Sequence, residues 1–423
     1  MNETVFWQKD RAELEPLTPK DQELPAEVDV AVVGAGVTGL AAARNLAQGG
    51  ASVVVFDRQH VGWGASGRNG GMVSVGSKRP LSEWVKAYGK DFGHSLYQAS
   101  VDAVLFVEKL IEDDKIDCAY VRCGLLCAAW KPEHFGLLAA KQRYLKEEVD
   151  WDTRLVTPLD LDDELGTRGY HGGLIDDMAG RLDPFLYTRG IAIAAQKAGA
   201  IISEDTEVMA VEPEGDGHRV TTGRGSVKAS EVLIATNAYT GPLTPGLQRR
   251  IVPIESQIIA TEPLDEELAV GLIPTNRIVF DTKKMLFYYR RTDDNRCLFG
   301  GRATFTTVSP QKSGRILRDK MVKLYPQLSG AAIEYTWDGY VAFTFDMDPH
   351  MGRMDGLYYS MGYCGHGIAL GSYMGDRMGN VIAGRSEDCP FLDLTFPTNP
   401  LYRGKPWFLP IMGGYYRAYD RVK

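Results

Sequence analysis

"VDVAVVGAGVTGLAAARNLAQGGASVVVFD", Val28–Asp57, is the stretch whose reading decides the fold. "VDVAVVGAG" is a short β-branched apolar run ending in glycine, which predicts a parallel strand buried on both faces. "VTGLAAARNLAQGG" is rich in Ala and Leu and stops at Gly-Gly, which predicts a helix. "ASVVVFD" predicts the next strand. Within this βαβ unit Gly34, Gly36 and Gly39 form G-x-G-x-x-G. Gly34 permits the tight turn, Gly36 lets a diphosphate approach the backbone, and Gly39 lets helix and strand pack closely. Ala35, Val37 and Thr38 sit where a helix N-terminus offers free N–H groups and positive dipole to phosphates. Asp57, followed by Arg58, ends the second strand, where an acid accepts from a ribose hydroxyl and repels a 2′-phosphate. The unit predicts a dinucleotide site and disfavours NADP. NAD and FAD both stay open on this motif alone.

A second glycine cluster follows, "GWGASGRNGGM" from Gly62 to Met72. A plain NAD-binding domain would proceed here to another βα unit. Instead Gly64, Ala65, Ser66, Arg68, Asn69, Gly70, Gly71 and Met72 make a loop that can bring N–H groups close to something flat and anionic, with Arg68 placed to supply charge to a diphosphate.

The composition narrows the class. The chain has 423 residues, 44% hydrophobic and 24% charged, with net charge −8. That allows two or three domains. Scattered basic residues give no nucleic-acid surface. No apolar run is long enough for a membrane span. The first 26 residues are acidic and lack the apolar core of a secretory signal, so they read as an extended leader. Six cysteines without zinc-ligand spacing read as reduced, mostly buried thiols of a cytoplasmic protein, and no metal site is expected.

The second cluster and several later stretches together resemble the D-amino-acid-oxidase-like superfamily of FAD-dependent amine oxidoreductases, most of all its γ-glutamylputrescine oxidoreductase branch. These stretches are "GGLIDDMAGRLDP" (Gly172–Pro184), "VLIATNAYT" (Val232–Thr240), "YYRRTDDNRCLFGGR" (Tyr288–Arg302), "WDGYVAFTFDMDPHMG" (Trp337–Gly352) and "GYCGHGIALGSYMGDRMGNVIAG" (Gly362–Gly384). The resemblance implies FAD rather than NAD. It also implies an α/β fold: a Rossmann-like FAD-binding domain with a parallel sheet, plus an α+β substrate domain with an antiparallel sheet, glycine- and sarcosine-oxidase-like. The expected FAD-binding pieces are 27–78, 156–238 and 335–384, and the substrate domain is 79–155 and 239–334. The tail 385–423 is expected to pack on the FAD-binding domain.

What the resemblance implies for the chemistry is hydride transfer from an amine-bearing carbon to the flavin, giving an imine that hydrolyses. The donor is a small-molecule amine, with a γ-glutamylated or polyamine-type substrate leading and an N-substituted glycine or D-amino acid as alternative. Oxygen or another acceptor takes the electrons onward. An NAD(P)H-fed hydroxylase is disfavoured by the lack of a second G-x-G-x-x-G. The backbone at Val208 is expected beside the adenine, and Thr236 and Asn237 beneath the flavin. Gly362, Gly365, His366, Gly367 and Ile368 are expected at its pyrimidine edge, where a helix N-terminus stabilises negative charge. Some relatives attach FAD through a cysteine in the strand that here reads Val341-Ala342-Phe343-Thr344, so noncovalent FAD is implied, with Cys364 the nearest alternative anchor.

His366, Arg302 and Tyr289 are the catalytic candidates: His366 to stabilise the reduced flavin, Arg302 to pair a substrate carboxylate, Tyr289 to wall the substrate. Tyr288, Trp337 and Phe343 are further candidate walls, since aromatic faces attract cationic amines. Arg290 is a lesser carboxylate candidate, and Lys283 and Lys284 are candidates for oxygen activation. Two departures bear on the substrate. Met72 stands where the branch commonly has Gln, and "DMDPH" adds Asp346, Asp348 and His350 near the expected flavin.

Overall fold

The computed structural model describes residues 1–19, 22–303 and 308–422. The predicted βαβ unit forms as the strand Glu27–Val33, the helix Val37–Gln48 and the strand Val53–Phe56. Glu27–Val33 lies at the centre of an eight-stranded sheet, parallel to Val53–Phe56 on one side and Gly225–Ile234 on the other. Ile201–Ser203 and Leu357–Met361 extend the parallel set outward. His350–Met354 closes one edge in antiparallel fashion. Both faces of the central strand are buried, which is why it reads as an unbroken apolar run. Val30 and Val32 pack with Leu40 and Ala43 of the helix, and Ala31 and Val33 pack on the opposite side with Val232 and Met361.

Three helices cover the first face: Val37–Gln48, Pro184–Lys197 and Ala369–Ile382. Asp183 caps the second through the N–H groups of Phe185 and Leu186, with Pro184 at its first position. Gly371, Gly375 and Gly379 repeat every fourth residue along the third. A Cβ on Gly375 would lie 2.3 Å from the Thr38 carbonyl oxygen, and one on Gly379 would lie 2.7 Å from Asn45 Oδ1. The two helices therefore touch at backbone distance, which fixes the first turn of Val37–Gln48.

The second sheet also has eight strands, in the order Ile333–Phe343, Val252–Thr261, Cys297–Gly301, Phe287–Arg291, Ile278–Asp281, Leu125–Ala128, Gly173–Asp176, Arg154–Val156. All neighbours are antiparallel except the Ile278–Asp281 and Leu125–Ala128 pair. The "TDDN" turn joins a hairpin in which Tyr289 pairs with Phe299. Sheet membership moves the expected boundaries. Arg154–Val156 and Gly173–Asp176 belong to this sheet, and so does Ile333–Phe343, which pairs along its length with Val252–Thr261. Short apolar strands do not reveal their partner sheet from sequence.

After Pro80 come two helices, Leu81–Tyr88 and Lys90–Asp114, parted at Gly89, whose φ of 88° is the left-handed conformation glycine tolerates. Ile201–Ser203 and Val208–Glu214 are separate strands, the latter in an antiparallel extension with Gly217–Thr222. The leader is packed, not extended: Val5 and Phe6 bury against Ile258, Leu298 and Trp337. The tail divides between both sheets. Phe396 stacks on His350 of the first, while Asp420 in the helix Leu409–Val422 accepts from the N–H groups of Lys284 and Met285, next to the second. No described helix is long and apolar enough to cross a membrane.

Candidate functional site

A single cavity of about 1500 Å³ is walled by residues of both sheets. Its volume exceeds the ~300–1000 Å³ common for one small ligand. It begins at Gly34, Ala35, Gly36, Val37 and Thr38 and passes Asp57, Arg58 and Val208. Backbone approach explains the glycines. A Cβ on Gly39 would lie 2.0 Å from the Gly34 oxygen, and one on Gly36 would lie 2.8 Å from Ser66 Oγ; Gly34 has φ of 113°. Gly39 itself lies behind the wall and sets the spacing. Asp57 Oδ2 accepts from Ala35 N at 2.8 Å and Oδ1 from Gln59 N at 2.9 Å. Burial raises its pKa above the usual carboxylate range, against those two hydrogen bonds.

The second glycine cluster lies directly against the first. Ser66 Oγ accepts from Val37 N at 3.1 Å. Gly64, Ala65, Ser66, Arg68, Asn69, Gly70 and Met72 line the cavity. Gly71 lies behind it, where a Cβ would meet the Leu182 oxygen at 2.1 Å. Asn69 braces the loop: its Nδ2 donates to the oxygens of Ala65 and Ser66, and its Oδ1 accepts from Gly71 N. Arg68, on the cavity wall, also braces the loop. Its guanidinium donates to the Trp63 and Asp338 carbonyls and lies over the Trp63 ring, so its hydrogen bonds hold the loop against the strand Ile333–Phe343.

Four residues outside the motif complete this bracing. Trp7 Nε1 donates to the Asn69 oxygen and Gln8 Nε2 to those of Gly62 and Gly67. Trp337 Nε1 donates to the Arg68 oxygen at 2.8 Å. Arg290, only 2% exposed, donates to the oxygens of Gly70 and Leu182, both at 2.8 Å, beneath the Trp7 ring. Burial lowers its pKa to about 10. Trp337 and Arg290, expected as substrate contacts, instead hold the loop from behind. Nothing in their sequence neighbourhoods announces this, since each reaches the loop only through folding.

Farther along lie Thr236, Asn237, Gly365, His366, Gly367 and Ile368. Asn237 Oδ1 accepts from Gly362 N, which fixes the start of this turn although Gly362 does not line the cavity. His366 has a buried Nδ1 with no hydrogen-bond partner. Burial, with Lys78 and Lys141 nearby, lowers its pKa to about 4, so the imidazole is neutral near pH 7. The Cys364 thiol is also on the wall and is pushed up to about 11 by burial.

The roof is the second sheet. Tyr288 and Phe343 line the cavity, and Tyr288 OH lies 2.9 Å from Ser256 Oγ. Tyr289, the adjacent residue, points the other way as strand alternation requires. It is 0% exposed, stacks on Phe299 and meets Tyr325 edge-on, so it belongs to the core and not to the site. Arg302 is on the wall near Glu255 and Tyr416, and burial lowers its pKa to about 10. Lys283 is paired with Asp281 at 2.8 Å and covered by Phe287 and Trp130. Of the "DMDPH" acids, Asp348 is a buried hub that accepts from Arg79, Trp84 Nε1 and Tyr88 OH, and Asp346 pairs His350. Their positions are accounted for by packing rather than by substrate. Phe408, Leu409, Met412 and Tyr416 of the tail complete the wall, a contribution the sequence did not signal.

The residues from the first glycine motif to His366 line one cavity, and 29–380 match the family model described as DAO, FAD dependent oxidoreductase. The chain belongs to this family of FAD-dependent oxidoreductases. It is 34% identical over 400 residues to the γ-glutamylputrescine oxidoreductase of Escherichia coli strain K12, covering 93% of each chain. It is also 34% identical over 364 residues to a probable oxidoreductase, OrdL, of Haemophilus influenzae, covering 85% of this chain and 84% of that one. Among solved structures, glycine oxidase from Geobacillus kaustophilus superposes with a TM-score of 0.71 at 22% identity, covering 90% of this chain and 99% of that one. The shared fold agrees with the expected α/β architecture.

Proposed function

We propose that the protein oxidises a primary or secondary amine, and that the amine is γ-glutamylated or polyamine-like. The observation that carries this reading is the continuity of the cavity: it runs without interruption from the diphosphate-type glycines, past the neutral His366, to a roof of Tyr288 and Phe343. A cofactor and a slender substrate fit there end to end. The likeness to γ-glutamylputrescine oxidoreductase supports the substrate class.

The residues fit FAD. Gly36 has no room for a Cβ beside Ser66 Oγ, so its bare backbone forms the wall, and the buried Nδ1 of His366 has no hydrogen-bond partner among the described residues. The N–H groups of Gly36 and Thr38 would hold the diphosphate, those of Ala35 and Val37 being taken by Asp57 and Ser66, with Asp57 on the ribose, the Val208 backbone on the adenine, and Gly365–Ile368 on the polar edge of the flavin. When bound, FAD supplies the two-electron acceptor. The chain supplies pose and electrostatics. An amine must be neutral to release hydride from its carbon. The ammonium groups of Lys78 and Lys284 on the wall disfavour a further positive charge beside them, so a bound ammonium loses its proton more readily than in water. Tyr288 and Phe343 exclude water from the reacting carbon. Arg302 on the wall supports a second reading, an N-substituted glycine or D-amino acid, with the guanidinium pairing the carboxylate.

The deciding experiment is an anaerobic amine panel on the holoenzyme read by loss of flavin absorbance, repeated in air for hydrogen peroxide. Bleaching by γ-glutamylputrescine or a diamine is expected. If no amine bleaches the flavin, or if NADH does so promptly, the proposal is wrong. An Arg302→Ala variant separates the two readings: an equal loss for carboxylate-free amines and amino acids removes the anchor role. Acid precipitation tests attachment, and a yellow supernatant is the expected, noncovalent result.

A further inference from the structure

Most charged side chains on the cavity wall have a local counterpart. Lys283 has Asp281 and Arg79 has Asp348. Arg302 has Glu255 within electrostatic reach, and Lys141 has Asp176. Lys78 differs. No described residue forms an ion pair or hydrogen bond with its ammonium, although it lines the cavity. The groups that face it are the Lys284 ammonium, from the turn after Ile278–Asp281, the thiols of Cys364 and Cys127, and the His366 imidazole. None of these is a carboxylate. The side chain is open to the cavity, and the desolvating wall around it, with Lys284, lowers its pKa.

The placement is built, not incidental. The next residue, Arg79, is tied to the buried Asp348 at 2.5 Å, and Tyr88 and Trp84 bind the same carboxylate. The loop that carries Lys78 is thereby fixed to the first sheet. Lys284 is fixed from the second by its N–H to Asp420. Two ammonium groups from separate elements are held in one cavity where each raises the energy of the other. An anion placed beside Lys78 relieves that cost, and a bare dication entering there increases it.

We propose that Lys78, assisted by Lys284, forms an anion subsite that takes a carboxylate of the substrate, so that the enzyme selects an amine bearing a carboxylate over a bare diamine. This rests on the amine-oxidising reading above and narrows its substrate class. The carboxylate is that of an amino-acid-conjugated amine whose other end carries the reacting carbon.

The test compares γ-glutamylputrescine with putrescine on the holoenzyme, and separately titrates glutarate, a dicarboxylate with no amine, by its perturbation of the flavin spectrum. Wild-type protein is expected to prefer the conjugate and to bind glutarate in a salt-dependent manner. Lys78→Met is expected to lower the ratio of kcat/KM values by about tenfold or more, the worth of one charge-assisted hydrogen bond. It is also expected to weaken glutarate by a similar factor, and Lys78→Arg should restore both in part. An unchanged ratio with unchanged glutarate binding overturns the subsite. So does a variant that shifts the flavin spectrum or potential while glutarate binding stays as in wild type, because the ammonium then serves the cofactor. If no amine bleaches the flavin, the functional reading fails on its own, and the glutarate titration still decides for or against the subsite.

Discussion

Gly375→Ala is a one-methyl change outside the cavity wall that the geometry predicts will damage cofactor binding. The added Cβ would stand 2.3 Å from the Thr38 carbonyl oxygen and 3.0 Å from the Thr38 Cα and carbonyl carbon. These are backbone atoms, so no rotamer relieves the clash. The helices must separate by about 1 Å at that point, and overpacking of this kind costs about 1–3 kcal/mol, at the upper end where backbone must move. Thr38 lies in the first turn of Val37–Gln48, whose N–H groups face the diphosphate end of the cavity. Its hydroxyl also lies 2.9 Å from Tyr363 OH, so the strain spreads to the far wall. The assay is FAD titration of apoprotein by fluorescence quenching, with thermal melts of both forms. About tenfold weaker FAD is expected, equivalent to ~1.4 kcal/mol. Gly136→Ala is the matched control. Gly136 is also helical, but its added Cβ would have nothing within 4 Å. It should stabilise by about 0.5–1 kcal/mol through helix propensity. If Gly375→Ala binds FAD and melts like wild type, or if the two variants behave alike, the backbone-contact reasoning is refuted.

Other expectations follow from the loop braces and from His366. Arg290→Gln removes donors to the Gly70 and Leu182 carbonyls, leaves them buried, and should cost about 3 kcal/mol or more, measured as a fall in melting midpoint and altered flavin absorbance. Trp337→Phe deletes the N–H to the Arg68 oxygen and leaves a cavity where the larger indole was buried; roughly fivefold weaker FAD, with a fall in melting midpoint worth about 2 kcal/mol or more, is expected, and no change in affinity would show the brace to be idle. His366 has an ordinary pKa of 6.5 and a folded value of about 4. Its stability contribution is therefore complete above pH 6.5 and lost as pH falls toward 4, by up to about 3 kcal/mol. Apoprotein melts at pH 7 and pH 5 should show a larger acid-side drop for wild type than for His366→Gln, and equal drops would remove the argument.

Local chemistry made much of this protein legible in its sequence. "VVGAGVTGL" specifies its turn and helix start because glycine spacing, strand polarity and helix dipole act within about ten residues. The pattern holds in the structure to the level of Gly34 with φ of 113° and Gly39 with no room for a Cβ. The hairpin Phe287–Arg291 to Cys297–Gly301 was likewise written in its own residues, through alternation and a short polar turn. The alternation did not say which face met the cavity, so Tyr289 was assigned a role that its neighbour's position allows and its own does not.

What tertiary structure alone decided was which distant groups meet. The second glycine cluster displays its glycines in sequence, but its rigidity comes from Trp7, Arg290 and Trp337, which converge only after both sheets form. Asp348 looks like an acid near a flavin until Arg79, Trp84 and Tyr88 are found on it. Lys78 looks like any other exposed charge in sequence, and only the fold sets it on the cavity wall with Lys284. Sequence encodes contacts between neighbours along the chain. Charge balance and packing in the cavity depend on contacts between residues hundreds of positions apart, and these exist only in the fold.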